Sequence, residues 1–79
     1  MDQEIRQVLA EHGRLAVDVS SLDENTDLFA AGMTSHASVN VMLALEDAFD
    51  FEFSEQMLKK STFESIDAIR GAVTEMAAG

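Results

Sequence analysis

The chain has 79 residues, 15 of them acidic and 5 basic, with no cysteine and no proline. That length suits a single domain over 1–79 with one modest core, which leaves little volume for a walled active site. The lack of cysteine excludes disulfides, thiolate nucleophiles and thiolate metal sites. No apolar stretch approaches a membrane span, and the acidic start Met1-Asp2-Gln3-Glu4 is unlike a signal peptide, so a cytoplasmic monomer is expected.

Helical elements dominate the reading. The first helix is predicted over Asp2–His12, with Ile5, Val8 and Leu9 on one face, Asp2 and Glu4 at the positive end of its dipole, and Gly13 as its stop. The stretch from Arg14 to Met33 has no sustained period. Its apolar residues Leu15, Val17, Val19, Leu22, Leu28 and Phe29 suggest a long ordered loop pinned onto the core, and loops of that length tend to be functional. A second helix is predicted over Ser35–Phe49, capped by Thr34 or Ser35, with Val41, Met42, Leu45, Ala48 and Phe49 as its core arc. Phe51 and Phe53 alternate with acids but have no partner strand, so a packed connector is expected. Ser54 then caps a short helix over Glu55–Lys60. Ser61-Thr-Phe-Glu64 has capping-box spacing and opens a last helix from about Phe63 to Met76, striped by Ile66, Ile69, Val73 and Met76. The expected architecture is all-α: a small four-helix bundle, three long helices and one short, with a long ordered loop between helices 1 and 2. Ala77-Ala78-Gly79 reads as a fraying tail.

The charge is unevenly placed. Between Leu15 and Leu58 there is no Lys or Arg, while Asp18, Asp23, Glu24, Asp27, Glu46, Asp47, Asp50, Glu52 and Glu55 all fall there. This one-sign field disfavours nucleic acid and anionic membrane as partners and favours basic protein surfaces. An acidic balance also serves plain solubility.

The chemistry-bearing position is Ser35. Gly32, Thr34 and Ser35 stand immediately before the apolar-periodic run from Val39 to Phe49, which puts a hydroxyl at the exposed start of a helix where another protein can reach it. On the second helix the arc opposite the core holds His36, Val39, Leu43, Glu46 and Asp50, with Ser35 at its edge. Val39 and Leu43 are therefore sent outward, bordered by Glu46 and Asp47, in the manner of a docking face. Two exposed aliphatics are also ordinary on any surface. Ser38 is placed toward the core arc and is a poor acceptor.

Asp27-Leu-Phe-Ala-Ala-Gly-Met-Thr-Ser35, followed by Val39-x-x-Met42-x-x-Leu45-Glu46-x-x-Phe49, resembles the attachment region of acyl carrier proteins and peptidyl carrier domains. Phe49-Asp50-Phe51-Glu52-Phe53, Ser61-Thr62 and the Ile66 to Val73 stripe extend the resemblance over nearly the whole chain from Asp27 onward. The resemblance implies an acyl-carrier-protein-like fold and a substrate carrier without catalytic residues. It implies that a phosphopantetheinyl transferase moves 4′-phosphopantetheine from coenzyme A onto the Ser35 hydroxyl, and that the arm's thiol carries acyl, aminoacyl or peptidyl groups as thioesters. Implied partners are that transferase, an acyl- or aminoacyl-loading ligase and downstream acyl-processing enzymes. The partner face is expected at Met33, Thr34, His36, Val39, Leu43, Glu46 and Asp47.

Departures narrow the role. Thr34 and His36 stand where fatty-acid carriers usually have Asp and Leu, Asn40 replaces an outward acid, and Ser54 replaces a common proline. The attachment chemistry is kept, but the partner set is expected to be dedicated. The Gly-Met-Thr-Ser-His-Ala-Ser-Val run also resembles free-standing carriers loaded by an amino-acid-activating ligase. The competing class is an unmodified acidic adaptor, which explains the charge but not the loop-Gly-Ser-helix order. Asp23-x-Asn25-x-Asp27 fails as a calcium loop because Leu28 and Thr34 stand where Gly and Glu are needed. His12 and His36 lack a co-ligand pattern, so no metal site is expected.

Overall fold

The structure is a computed structural model that describes residues 1–78. Of the tail expected at Ala77-Ala78-Gly79, Gly79 lies outside the described residues. The described residues form three α-helices, α1 (Asp2–His12), α2 (Ser35–Phe49) and α3 (Ile66–Ala78), and three 3₁₀ turns, Val19–Ser21, Glu55–Met57 and Lys60–Phe63, with no strand.

Helix α1 begins and ends where its sequence signals place it. Ile5 and Leu9 are fully buried and Val8 nearly so. Gly13 stops the helix through its N–H, which donates to Leu9 O at 2.8 Å. The left-handed residue is the next one, Arg14, with φ 53°. Gly13 is itself right-handed, and glycine is needed there for space, since a Cβ would stand 2.7 Å from Leu9 O.

Four side chains and several backbone groups hold the long loop from 14 to 34. Leu22, Leu28, Val19 and Met33 are buried, whereas Val17, expected to be pinned, is exposed. Arg6 of α1 donates from Nη1 to Val19 O and Leu22 O. Asp18 Oδ1 accepts from Ser20 N–H, which holds the Asp18 carboxyl below its ordinary range. Leu28 N–H donates to Glu64 O at 2.7 Å, Asp67 N–H to Glu24 O at 2.9 Å, and Ala16 N–H to Ala31 O at 3.0 Å. Gly32 completes this last contact: its φ is +119° and a Cβ would crowd Ala16 N at 3.0 Å. A left-handed φ combined with so close an approach suits only glycine.

The C-terminal third departs from the expected helices. No α-helix spans Glu55–Lys60. Two 3₁₀ turns replace it, separated by Leu58 (ψ 65°) and Lys59 (φ −140°, ψ 159°), and Ser54 makes no side-chain cap. Six residues without a cap nucleate a helix poorly. Buried rings anchor both ends of the segment instead, with Phe53 and Phe63 edge to face at 5.3 Å and Phe51 on Phe53 at 4.7 Å. The last helix starts at Ile66, not Phe63, and Ser65 Oγ caps it by accepting from Ala68 N–H at 3.0 Å. The capping box does not form: Ser61 lies inside the 60–63 turn, and among the described residues neither its hydroxyl nor the Glu64 carboxylate makes a capping hydrogen bond, while Glu64 O accepts from Leu28 N–H of the long loop. The bundle is therefore three α-helices plus 3₁₀ turns, not four helices.

Helix α1 packs against both α2 and α3, and the 60–63 turn packs on α3. Ile5, Leu9, Leu28, Val41, Leu45, Ile66, Ile69 and Val73 form the fully buried centre. At one edge Arg70 gathers Asp2, Glu24 and Asp67, tying α1, the loop and α3 together. The three carboxylates raise the Arg70 pKa further above its ordinary value. No described helix is long and apolar enough to cross a membrane.

Candidate functional site

Thr34, not Ser35, caps α2. Its backbone is extended (φ −84°, ψ 165°) and its Oγ1 accepts from Ala37 N–H at 3.0 Å. Ser35 is thereby released to be the first residue of the helix. It is exposed, and its hydroxyl has no hydrogen-bond partner among the described residues. The Ser35 and His36 N–H groups stand among the orphan donors of the first turn, and the dipole there favours an anion. Upstream, Asp27 Oδ1 accepts from Phe29 N–H and Ala30 N–H, and Met33 N–H donates to Leu28 O, so the approach to Ser35 is a folded turn.

A trough of about 270 Å³ opens beside Ser35, between α2 and the 58–63 segment. Its walls are Phe29, Val39, Met42, Leu58 and Phe63, with Ser35 and Ser38 also on it, and its charged groups are Lys59 and Lys60. Lys60 Nζ lies 4.9 Å from the centre of the Phe29 ring. Ser38 does not face the core; it is half-buried on this trough, and its Oγ donates to Ser35 O at 2.6 Å.

The structure separates the residues expected on one partner face. Val39 and Leu43 are 49% and 53% exposed. Val39 belongs to the trough with Ser35, whereas Leu43 and Asp47 line a second groove between α1 and α2 with Glu4, Glu11 and His12. His36 and Thr34 are exposed beside Ser35. Glu46 is half-buried, and its Oε2 accepts from Phe53 N–H at 2.8 Å, so this carboxylate holds the connector after α2. Met33, expected on the partner face, is 2% exposed and belongs to the core. Packing against the helices wins because a thioether gains more from burial than from water. On α2 the buried line is Ala37, Val41 and Leu45, while Met42 and Phe49 are half-buried and Ala48, expected in the core arc, is exposed.

Sequence reasoning missed the trough itself and both lysines on it. One signal was available: Lys59-Lys60 interrupts a chain otherwise without cations from Leu15 to Ile69.

Comparison with known proteins places this small helical scaffold among carrier proteins. The family model for the phosphopantetheine attachment site matches residues 3–70, and the chain belongs to that family. Its prosthetic group is covalent 4′-phosphopantetheine, and its members are carriers rather than catalysts. The chain is 44% identical over 73 residues to an aminoacyl carrier protein of Agrobacterium fabrum, covering 92% of this chain and 88% of that one. It is also similar to a chain from the crystal structure of an engineered Bradyrhizobium japonicum glycine:[carrier protein] ligase complexed with a carrier protein from Agrobacterium tumefaciens and AMP. There the TM-score is 0.91 at 43% identity, covering 94% of this chain and 99% of that one. A solution structure from Agrobacterium tumefaciens matches with a TM-score of 0.74 at 43% identity, covering 95% and 90%.

The residues present fit the group. Ser35 Oγ is unpaired and exposed, the first turn of α2 favours an anion beside it, and an apolar trough begins there.

Proposed function

We propose that Ser35 is the attachment residue and that the chain carries an aminoacyl group loaded by an amino-acid:carrier-protein ligase and passed to a downstream enzyme. The observation that carries this reading is the division of labour between Thr34 and Ser35: Thr34 takes the cap and leaves the Ser35 hydroxyl free at the first helical position. The aminoacyl cargo is supported by the likeness to an aminoacyl carrier protein and to a chain solved with a glycine:[carrier protein] ligase.

Ser35 Oγ acts as the acceptor in the loading of the arm from coenzyme A. It gives up its proton to the transferase and forms the new P–O bond to the pantetheine phosphate as the pyrophosphate linkage of coenzyme A breaks and adenosine 3′,5′-bisphosphate leaves. No base of this chain is needed, because the transferase supplies one. The first amides of α2 then stabilise the phosphodiester anion. When attached, the arm supplies a terminal thiol that holds cargo as a thioester. Val39 and His36 flank the attachment point, and Leu43 and Asp47 lie about one and two turns beyond Val39 along α2, so a partner gripping the length of α2 meets both sets. The acidic surface steers such a partner if its own face is basic.

Intact mass after incubation with coenzyme A and a broad phosphopantetheinyl transferase tests the assignment. One pantetheine-sized gain is expected in the wild type and none in Ser35→Ala. No gain in folded wild-type protein would overturn it and favour the unmodified acidic adaptor, whose partner binding Ser35→Ala leaves unchanged.

A further inference from the structure

Two grooves of opposite charge flank α2. The groove against α1 is lined by Glu4, Glu11 and Asp47, with His12. The trough on the other side carries no carboxylate, and its charged groups are Lys59 and Lys60. In a chain with 15 acids and 5 bases this segregation is uneven, and the other cations do not compensate for it. Arg6 is spent on Val19 O and Leu22 O, Arg70 on three carboxylates, and Arg14 lines neither groove. The cationic trough is the one that contains Ser35.

We infer that this trough sorts the cargo of the arm by charge, admitting a neutral or anionic acyl end and leaving a protonated aminoacyl end in solvent, with Lys59 and Lys60 as the residues that set the choice. The inference rests on Ser35 bearing the arm. The volume, about 270 Å³, is that of a small organic group, and the walls are Phe29, Val39, Met42, Leu58 and Phe63. A neutral acyl end gains there by leaving water. An ammonium gives up its hydration and finds no carboxylate to replace it. The Ser38 hydroxyl, which donates to Ser35 O, offers a neutral acceptor but no charge to offset the lysines. The ammonium also meets two like charges, one of which is held at the wall because Lys60 Nζ rests over the Phe29 ring at 4.9 Å. The phosphodiester at Ser35 is common to every loaded form, and against it the two lysines lower occupancy by an ammonium about fivefold relative to a trough without them, at distances of several ångström in water-like screening. An acyl end bearing a carboxylate is attracted by the same pair. For an aminoacyl carrier this keeps the amino acid outside, where an enzyme can collect it without first extracting it.

Glycyl and propionyl thioesters test this, because they are nearly isosteric and differ by an ammonium in place of a methyl. Each is placed on the full-length holo chain, with intact mass verifying the arm and the cargo. The methyl resonances of Val39 and Met42 report the trough, and those of Val73 report the distant core. At pH 6.5, where an α-ammonium is protonated, propionyl is expected to shift the trough methyls away from the cargo-free holo form and glycyl to leave them in place. In K59Q/K60Q the glycyl form is expected to gain about fivefold in trough occupancy, and K59R/K60R is expected to restore exclusion. Equal shifts for both cargoes in the wild type, or no shift for either, overturn the inference. A difference that persists unchanged in K59Q/K60Q shows that desolvation alone does the sorting and removes the lysines' role. Failure of the arm to attach at all is a different result, read by mass before any cargo is added, and it counts against the Ser35 assignment.

Discussion

A threonine one position before Ser35 decides how that serine is presented. Fatty-acid carriers usually have an aspartate there, and Asp and Thr are both good N-caps, so the capping role survives the exchange while a charge is lost. Thr34→Ala is expected to cost about 0.5–2 kcal/mol in urea denaturation. The same variant is expected to keep the transferase-dependent mass gain, because Ser35 takes no part in the cap. Loss of the mass gain in a folded Thr34→Ala protein would mean that Thr34 meets the transferase directly. The Ser35 hydroxyl was legible from sequence because the motif is local, with glycine, hydroxyls and a helix start within a few residues. Which hydroxyl caps was not legible, since either can accept from the first turn and only the backbone angles separate them. Met33 was misread for a related reason. It lies beside the site in sequence, but its side chain turns inward under the folded 27–33 turn.

Among the elements, α2 gives the sharpest contrast between faces. Leu45 is fully buried, and Leu45→Ala is expected to destabilise by about 2–5 kcal/mol in denaturant unfolding, as cavity-forming changes do. Leu43, two positions earlier and 53% exposed, points the other way. Leu43→Glu is expected to stay within ~0.5 kcal/mol of wild-type stability and to slow loading by a partner enzyme in a stopped-time mass assay. Unchanged loading kinetics would remove Leu43 from the docking surface. The periodicity of α1 and α2 was legible because each has enough turns for an apolar stripe to set its phase. The 55–65 segment was not. Its local signals favour helix starts at Ser54 and Ser61, but Phe53 and Phe63 must both reach the core, and the Glu64 and Asp67 backbone groups are claimed by the loop across the bundle. Tertiary bonds of that kind outweigh a propensity difference of a few tenths of a kcal/mol per residue.

For the whole molecule, the charge field and the two grooves matter most. With a formal charge of −10, association with a basic partner surface is expected to slow as salt rises from about 50 mM to 500 mM, because screening shortens from more than 10 Å to a few ångström. An association rate indifferent to salt in stopped-flow would argue against steering. Composition alone sets that expectation. The local order of glycine, hydroxyls and apolar stripes likewise carries the family, the free hydroxyl at the start of α2 and two of the three helices, because these depend on chemistry within a few turns of chain. The trough, the placing of Lys59 and Lys60 on it, the burial of Met33 and the collapse of the expected third helix into 3₁₀ turns depend on contacts between residues far apart in sequence. Loop carbonyls, buried rings and the spacing of α2 from the 58–63 segment decide them, and those distances exist only once the chain has closed on its core.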